Sequence, residues 1–136
     1  MPFGADVKLA IAVYGAPTSS EAPYSALRFA RAARERGHEV LRVFFYYEAV
    51  AIANALVVPP QGERDIGAEW SAFGREHGVE LVACIAASLR RGIVDSTEAA
   101  RYGLAAHNLR EPFMLLGLGQ FIEMAANADR IVTFVE

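Results

Sequence analysis

One cysteine is all this chain has, Cys84, so no disulfide can form within it and the fold must be held by packing. That usage suits a reducing compartment, and any chemistry at the thiol needs a partner or a small molecule. Basic charge is also scarce: 13 lysines and arginines stand against 16 aspartates and glutamates, a formal net charge of -3. Without a clustered basic face nothing draws the chain to a phosphate backbone, so direct nucleic-acid binding is not expected. Long apolar runs are missing too. None reaches the roughly 18 residues of a membrane span, and Met1-Pro2-Phe3-Gly4-Ala5-Asp6 lacks the basic segment and apolar core of a secretory leader. A soluble cytoplasmic protein with no membrane partner is the expectation. The three histidines, His38, His77 and His107, share no short metal-ligand spacing, so no metal site is expected. His38 and His77 stand beside the helix-stopping Gly37 and Gly78, where an imidazole suits a helix C-terminus. His107, in the loop before Pro112, carries no assigned role.

What the chain does have is apolar content, 54% against 21% charged, ample for one core in one domain spanning residues 1–136. Lys8 to Tyr14 is a mostly apolar run closed by Gly15, the pattern of a strand buried on both faces of a parallel sheet. Ala22, Ala26, Phe29, Ala30 and Ala33 recur at helical spacing until Gly37, which predicts a helix over 22–36. Glu39 to Phe45 reads as a second strand, Glu48 to Leu56 as a short helix, and Ile66, Trp70, Phe73 and His77 as one face of another helix ending at Gly78. Val79 to Ala87 is a third strand with its exit. Asp95-Ser96-Thr97-Glu98 has the form of a capping box opening a short helix to about Tyr102. Pro112 to Leu116 reads as a fourth strand, the Leu118, Ile122, Ala125 and Ala126 face as a helix, and Arg130 to Phe134 as a closing strand. The class is therefore α/β: a single three-layer domain with a mostly parallel sheet of about five strands covered by helices on both faces.

In open α/β sheets, ligands and reacting groups gather beyond the carboxyl ends of the strands, and Cys84 lies close to such an end. There a thiolate could be stabilised by backbone N–H groups and by Arg90 or Arg91 if the exit turn folds them back. The competing reading is a packed thiol, since unpaired cysteines are among the most buried residues and Cys84 stands between Ala83 and Ile85. On spacing alone the packed reading is the stronger. Arg90 and Arg91 are adjacent and cannot both point the same way; a solvated face and an anion or partner role weigh equally. Gly117-Leu118-Gly119 has Ile122 where a dinucleotide loop needs its third glycine, so close strand-to-helix packing is the better account. Gly15-Ala16-Pro17-Thr18-Ser19-Ser20 matches a flavodoxin-like phosphate loop in position only. Trp70 and Phe73 are core, and Phe44-Phe45-Tyr46-Tyr47 ends a strand whose last aromatics, if exposed, suit an oligomer interface.

Several separated motifs also resemble one family, the DsrE/TusD sulfur-relay proteins, over nearly the whole length. They are Phe29-Ala30 through Gly37-His38-Glu39, Val43-Phe44-Phe45-Tyr46, Cys84-Ile85-Ala86-Ala87-Ser88-Leu89-Arg90-Arg91-Gly92-Ile93-Val94-Asp95, and Gly117-Leu118-Gly119-Gln120 through Ala128-Asp129-Arg130. The cysteine segment is the most specific. The resemblance implies a sulfurtransferase subunit whose Cys84 accepts sulfane sulfur as a persulfide from a TusA-like donor and passes it to a TusE/DsrC-like acceptor. The pathway would be tRNA 2-thiouridine synthesis or dissimilatory sulfur oxidation. It further implies a hetero-oligomer with DsrF/TusC-like and DsrH/TusB-like subunits, Arg90 and Arg91 in support of the sulfur, and no metal or organic cofactor. Alternatives are a non-catalytic scaffold subunit of a related heterohexamer and a flavin- or nucleotide-binding domain using the loop after Gly15. The chain departs from the family pattern at Glu48-Ala49, where relatives often follow the acidic residue with glycine, and in the first loop from Pro17 to Pro23.

Overall fold

The computed structural model describes residues 6–136; Met1–Ala5, most of the segment read above as unlike a leader, lie outside it. The elements follow the alternation in the sequence: β1 Lys8–Val13, α1 Ala22–Glu35, β2 Glu39–Phe45, a 3₁₀ helix Tyr47–Ala53, α2 Ile66–His77, β3 Glu80–Cys84, α3 Ile85–Arg90, α4 Ser96–Arg101, β4 Met114–Leu116, α5 Leu118–Asn127 and β5 Arg130–Phe134. All strand pairings of the sheet are parallel, in the order β4-β3-β2-β1-β5.

That order decides which face each helix covers. Successive right-handed crossovers from β1 out to β4 put their helices on one face, and the return from β4 past β1 to β5 puts α5 on the other. Two neighbouring residues of β2 mark the sides, because successive strand side chains point oppositely. Phe45 meets Trp70 of α2 with ring centroids 5.3 Å apart, whereas Phe44 meets Phe121 of α5 at 5.2 Å. Trp70, Phe44, Phe45 and Phe73 are the largest of the fully buried side chains, and the Trp70 indole N–H donates to the Pro23 carbonyl at 3.0 Å, tying α2 to the start of α1.

Local chemistry accounts for most boundaries. Gly78 takes the left-handed conformation, φ 63°, that ends α2. Asp95 accepts from the Glu98 N–H at 2.8 Å and caps α4, but the Glu98 side chain is buried and turns toward Arg101 at 3.5 Å. Half of the expected capping box is thus what holds this helix start. Asp95→Ala is expected to cost about 1 kcal/mol, read as a shift in the urea midpoint; an unchanged midpoint would show that the cap contributes nothing.

One boundary departs from the sequence reading. Ile85, Ala86 and Ala87, taken above as the exit of a strand, form the first turn of α3. An unbroken apolar run from Val79 to Ala87 has no period to separate buried strand from buried helix, and the alanines, Leu89 and Arg90 are good helix formers once β3 stops.

Candidate functional site

Cys84 is the last residue of β3 and the residue that opens α3, placed at the carboxyl end of the sheet as expected. Its register partner on β4 is Leu116. On the other side the β2–β3 register, with Phe45 beside Ala83, puts Tyr46 next to Cys84 one step further on. The side chain is not open to solvent: Cys84 is 2% exposed and belongs to the hydrophobic core. The packed thiol weighed from spacing alone is therefore what the isolated chain shows, and chemistry at this sulfur needs a local opening.

The two arginines separate. Arg90 is exposed. Arg91, at the C-terminus of α3, has all three guanidinium nitrogens engaged: Nε and Nη2 donate to Glu48 Oε1 at 3.2 and 2.7 Å, and Nη1 donates to the Ala87 carbonyl at 2.9 Å. The hydrogen bond from Arg91, and then its charge, hold the Glu48 carboxyl below the usual carboxylate range. The same hydrogen bond is the main reason that Arg91 is raised; partial burial opposes it, and the charges of Glu48 and of a Cys84 thiolate add to it. A carboxyl lowered on folding contributes at neutral pH and ceases to as pH falls through its folded value, so the pair opens only in acid.

Glu48 reaches this position through an unusual backbone. Tyr47 has φ 50°, in the left-handed region that non-glycine residues seldom adopt and that costs about 1–2 kcal/mol. Aromatic packing offsets this: Tyr47 stacks on Tyr46 with centroids 4.3 Å apart and an interplanar angle of 8°, and meets the edge of Tyr14 at 5.3 Å. Ala49, after the acidic residue, sits buried in the 3₁₀ helix, and the left-handed residue of this turn is Tyr47. Of the aromatic run, Phe44 and Phe45 are core and Tyr47 is 54% exposed.

The other motifs are spent on structure. The Ser20 hydroxyl accepts from the Ala22 N–H at 3.0 Å, and a Cβ on Gly15 would collide with Ser20 and with the Val135 carbonyl. The cleft beside this loop is lined by Glu21, Glu48 and Glu136, a poor seat for a phosphate. The close-packing account of Gly117 and Gly119 is corrected: a Cβ on Gly119 would meet nothing within 4 Å, and Gly117 instead opens α5 with its N–H donating to Gln120 Oε1 at 3.1 Å. His38 Nδ1 accepts from the Val7 N–H at 3.2 Å, His77 packs on Phe73 with centroids 4.7 Å apart, and His107 is exposed. Among the described residues no group of acidic, histidine or cysteine side chains could hold a metal ion, and no helix is long and apolar enough to cross a membrane.

Sequence reasoning did not assign Glu48 a role. It lies 43 residues from Arg91, and the one local hint was its place just after the aromatic run.

Comparison with known proteins agrees with this architecture. The chain is 47% identical over 128 residues to a protein of Pseudomonas aeruginosa named sulfurtransferase TusD homolog, covering 94% of this chain and 97% of that one. It is 45% identical to sulfurtransferase TusD of Salmonella newport, covering 94% and 100%, and 43% identical to the putative sulfurtransferase DsrE of Allochromatium vinosum, covering 94% and 98%. The crystal structure of the ychN protein from E. coli superposes with a TM-score of 0.71 at 24% identity, over 94% of this chain and 99% of that one, and shares the fold. The DsrE/DsrF-like family model matches residues 7–134, and this chain belongs to that family.

Proposed function

We propose that this chain is a sulfurtransferase subunit that carries sulfur as a persulfide on Cys84. The single observation that carries the reading is the position of that thiol: the only one in the chain, at the carboxyl end of a parallel strand, in a protein 43% to 47% identical to relatives named sulfurtransferases. The Cys84 thiolate would attack the outer sulfur of a donor persulfide. A bond forms between the two sulfurs, the donor's sulfur–sulfur bond breaks, and the donor leaves as a thiolate. An acceptor thiolate then takes the outer sulfur in the same way and returns Cys84 to its thiolate. Both steps are exchanges, so no net oxidant or reductant enters. The Arg91 guanidinium would stabilise the anionic sulfur at each stage; exposed Arg90 is available only to a partner surface.

The donor would be a TusA-like protein and the acceptor a TusE/DsrC-like protein, in tRNA thiolation or sulfur oxidation, with DsrF/TusC-like and DsrH/TusB-like subunits completing an oligomer. The apolar side chains left outside on α5 and β5, Leu118 at 47%, Ile122 at 68% and Ile131 at 42% exposure, support an oligomeric state. One observation favours a second reading, a scaffold subunit whose cysteine is only packed: the 2% exposure of Cys84.

Intact mass after incubation with a persulfide donor separates the two. The relay predicts a gain of one sulfur that reductant removes and that Cys84→Ser abolishes. No gain in the native protein supports the scaffold, and an equal gain in the substituted protein ends the assignment to Cys84.

A further inference from the structure

We infer that Tyr46 and Leu116 flank the way in to the Cys84 sulfur and act as a size filter on what reaches it, with Tyr46 the specificity-determining residue. The sulfur then exchanges with a slim alkyl persulfide, such as a cysteine persulfide at the tip of an extended segment, and excludes a bulky or aromatic one. The inference rests on Cys84 being the reacting sulfur.

Tyr46 keeps strand geometry one residue beyond β2. Its backbone is extended, φ -132° and ψ 168°, and its N–H donates to the Val13 carbonyl at 2.9 Å, which continues the β1–β2 ladder. With Phe44 beside Val82 and Phe45 beside Ala83, the next step sets Tyr46 beside Cys84, and β4 sets Leu116 beside it on the other flank. Neighbouring strands lie about 4.8 Å apart, so both residues are immediate neighbours of the cysteine. Residues in register share a face, and alternate residues of one strand return to it. Phe44 meets Phe121 of α5, so Val82, Cys84, Tyr46 and Leu116 all belong to the α5 face.

Behind the sulfur this layer is shut. Phe44 and Val82, one step back along their strands, are 0% exposed, and Phe121 stands edge-on to Phe44. At the carboxyl edge the cover is thinner. Tyr46 and Leu116 are only partly buried, packed against the margin of the core. The turn after Leu116 also leaves room: a Cβ on Gly117 would meet only Gln120 Oε1, at 3.8 Å, and one on Gly119 nothing within 4 Å. The Tyr46 ring is braced, stacked on Tyr47 at 4.3 Å and set edge-on to Tyr14 and Phe44 at 6.1 and 6.4 Å. A ring held from three sides does not swing aside freely, so it limits the width of the gap. Release of α3 frees the end of β3 at Cys84, but an incoming group still passes between these two side chains.

Two thiol reagents of different girth read the filter, methyl methanethiosulfonate and a bulky aromatic disulfide. Their rate ratio, divided by the same ratio for the urea-unfolded chain, cancels the ionisation of the thiol and the intrinsic reactivity of each reagent. The folded protein should favour the slim reagent by about tenfold or more beyond the unfolded ratio. Tyr46→Ala should bring the ratio to within about threefold of the unfolded value, and Tyr46→Phe, which keeps the ring, should preserve the discrimination. Phe113→Ala removes a buried ring from the opposite face, where it packs on Phe45 at 5.5 Å, and should also preserve it. Circular dichroism checks that each variant is folded. Leu116→Ala widens the same gap from β4, should lower the discrimination by about threefold, and decides the question if Tyr46→Ala does not fold. An unfolded-like ratio in the native protein, a ratio unmoved by Tyr46→Ala or by Leu116→Ala, or an equal loss in Tyr46→Phe or Phe113→Ala would each overturn the inference. These reagents report access to the thiol whether or not the chain carries sulfur. A failure here leaves the persulfide reading standing, and a failure of the mass experiment leaves the measured filter in place without a relay for it to serve.

Discussion

The folded protein is expected to react with a bulky aromatic disulfide on the order of a hundredfold more slowly than the urea-unfolded chain at the same pH. Cys84 is 2% exposed, so attack must wait for an opening that lifts whatever covers it, and a factor of that size corresponds to about 3 kcal/mol. The element most suited to open is α3. It is six residues long, too short to be stable by itself, and it is held by its packing on β3, β4 and the 3₁₀ helix and by the Arg91–Glu48 pair. Rates within about threefold of each other would show that the sulfur is already accessible and that burial in the resting chain is no barrier. The measurement bears directly on function, because a relay must expose its sulfur to a donor and to an acceptor in turn.

Trp70→Ala should lower the unfolding free energy by about 3–5 kcal/mol, toward the upper end of that range. The indole is fully buried between Phe45 and Phe73, with ring centroids 5.3 and 5.6 Å away, so its removal leaves a cavity walled by rigid rings that cannot collapse around it. The indole hydrogen bond to the Pro23 carbonyl is also lost, a further cost of about 1 kcal/mol. Domains of this size have only about 5–15 kcal/mol to lose. Trp70→Phe, which restores most of the volume but not the N–H, should fall between the two. Urea unfolding monitored by circular dichroism tests both, and a loss under about 1 kcal/mol for the alanine variant would mean that α2 is not locked to the sheet through this ring.

The two faces of the candidate site were unequally legible in the residues themselves. Cys84 at a strand end, its Arg-Arg-Gly exit and the family resemblance all follow from contiguous motifs, and so does the distinction between Trp70 as core and the charged positions around it. The ion-pair partner of Arg91, Glu48, was not legible, because nothing local links positions 48 and 91. The left-handed Tyr47 was equally hidden: its sequence signature is an aromatic residue where that conformation is normally given to glycine, and only stacking on Tyr46 and Tyr14 makes it tolerable. The close-packing account of Gly119 failed for the converse reason, since a glycine in a sequence does not say whether anything lies near it.

What the amino-acid order determined by itself is the class of the fold and the succession of its elements. Apolar periodicity, glycine stops and the Asp95 cap act over a few residues, and their energies do not wait for the rest of the chain. Strand order, the division of helices between the two faces and the pairing of Glu48 with Arg91 were decided only by the tertiary structure. Each of these depends on register between strands and on the path of the return crossover to β5, terms that couple residues about 30 or more positions apart and leave no trace in any local window.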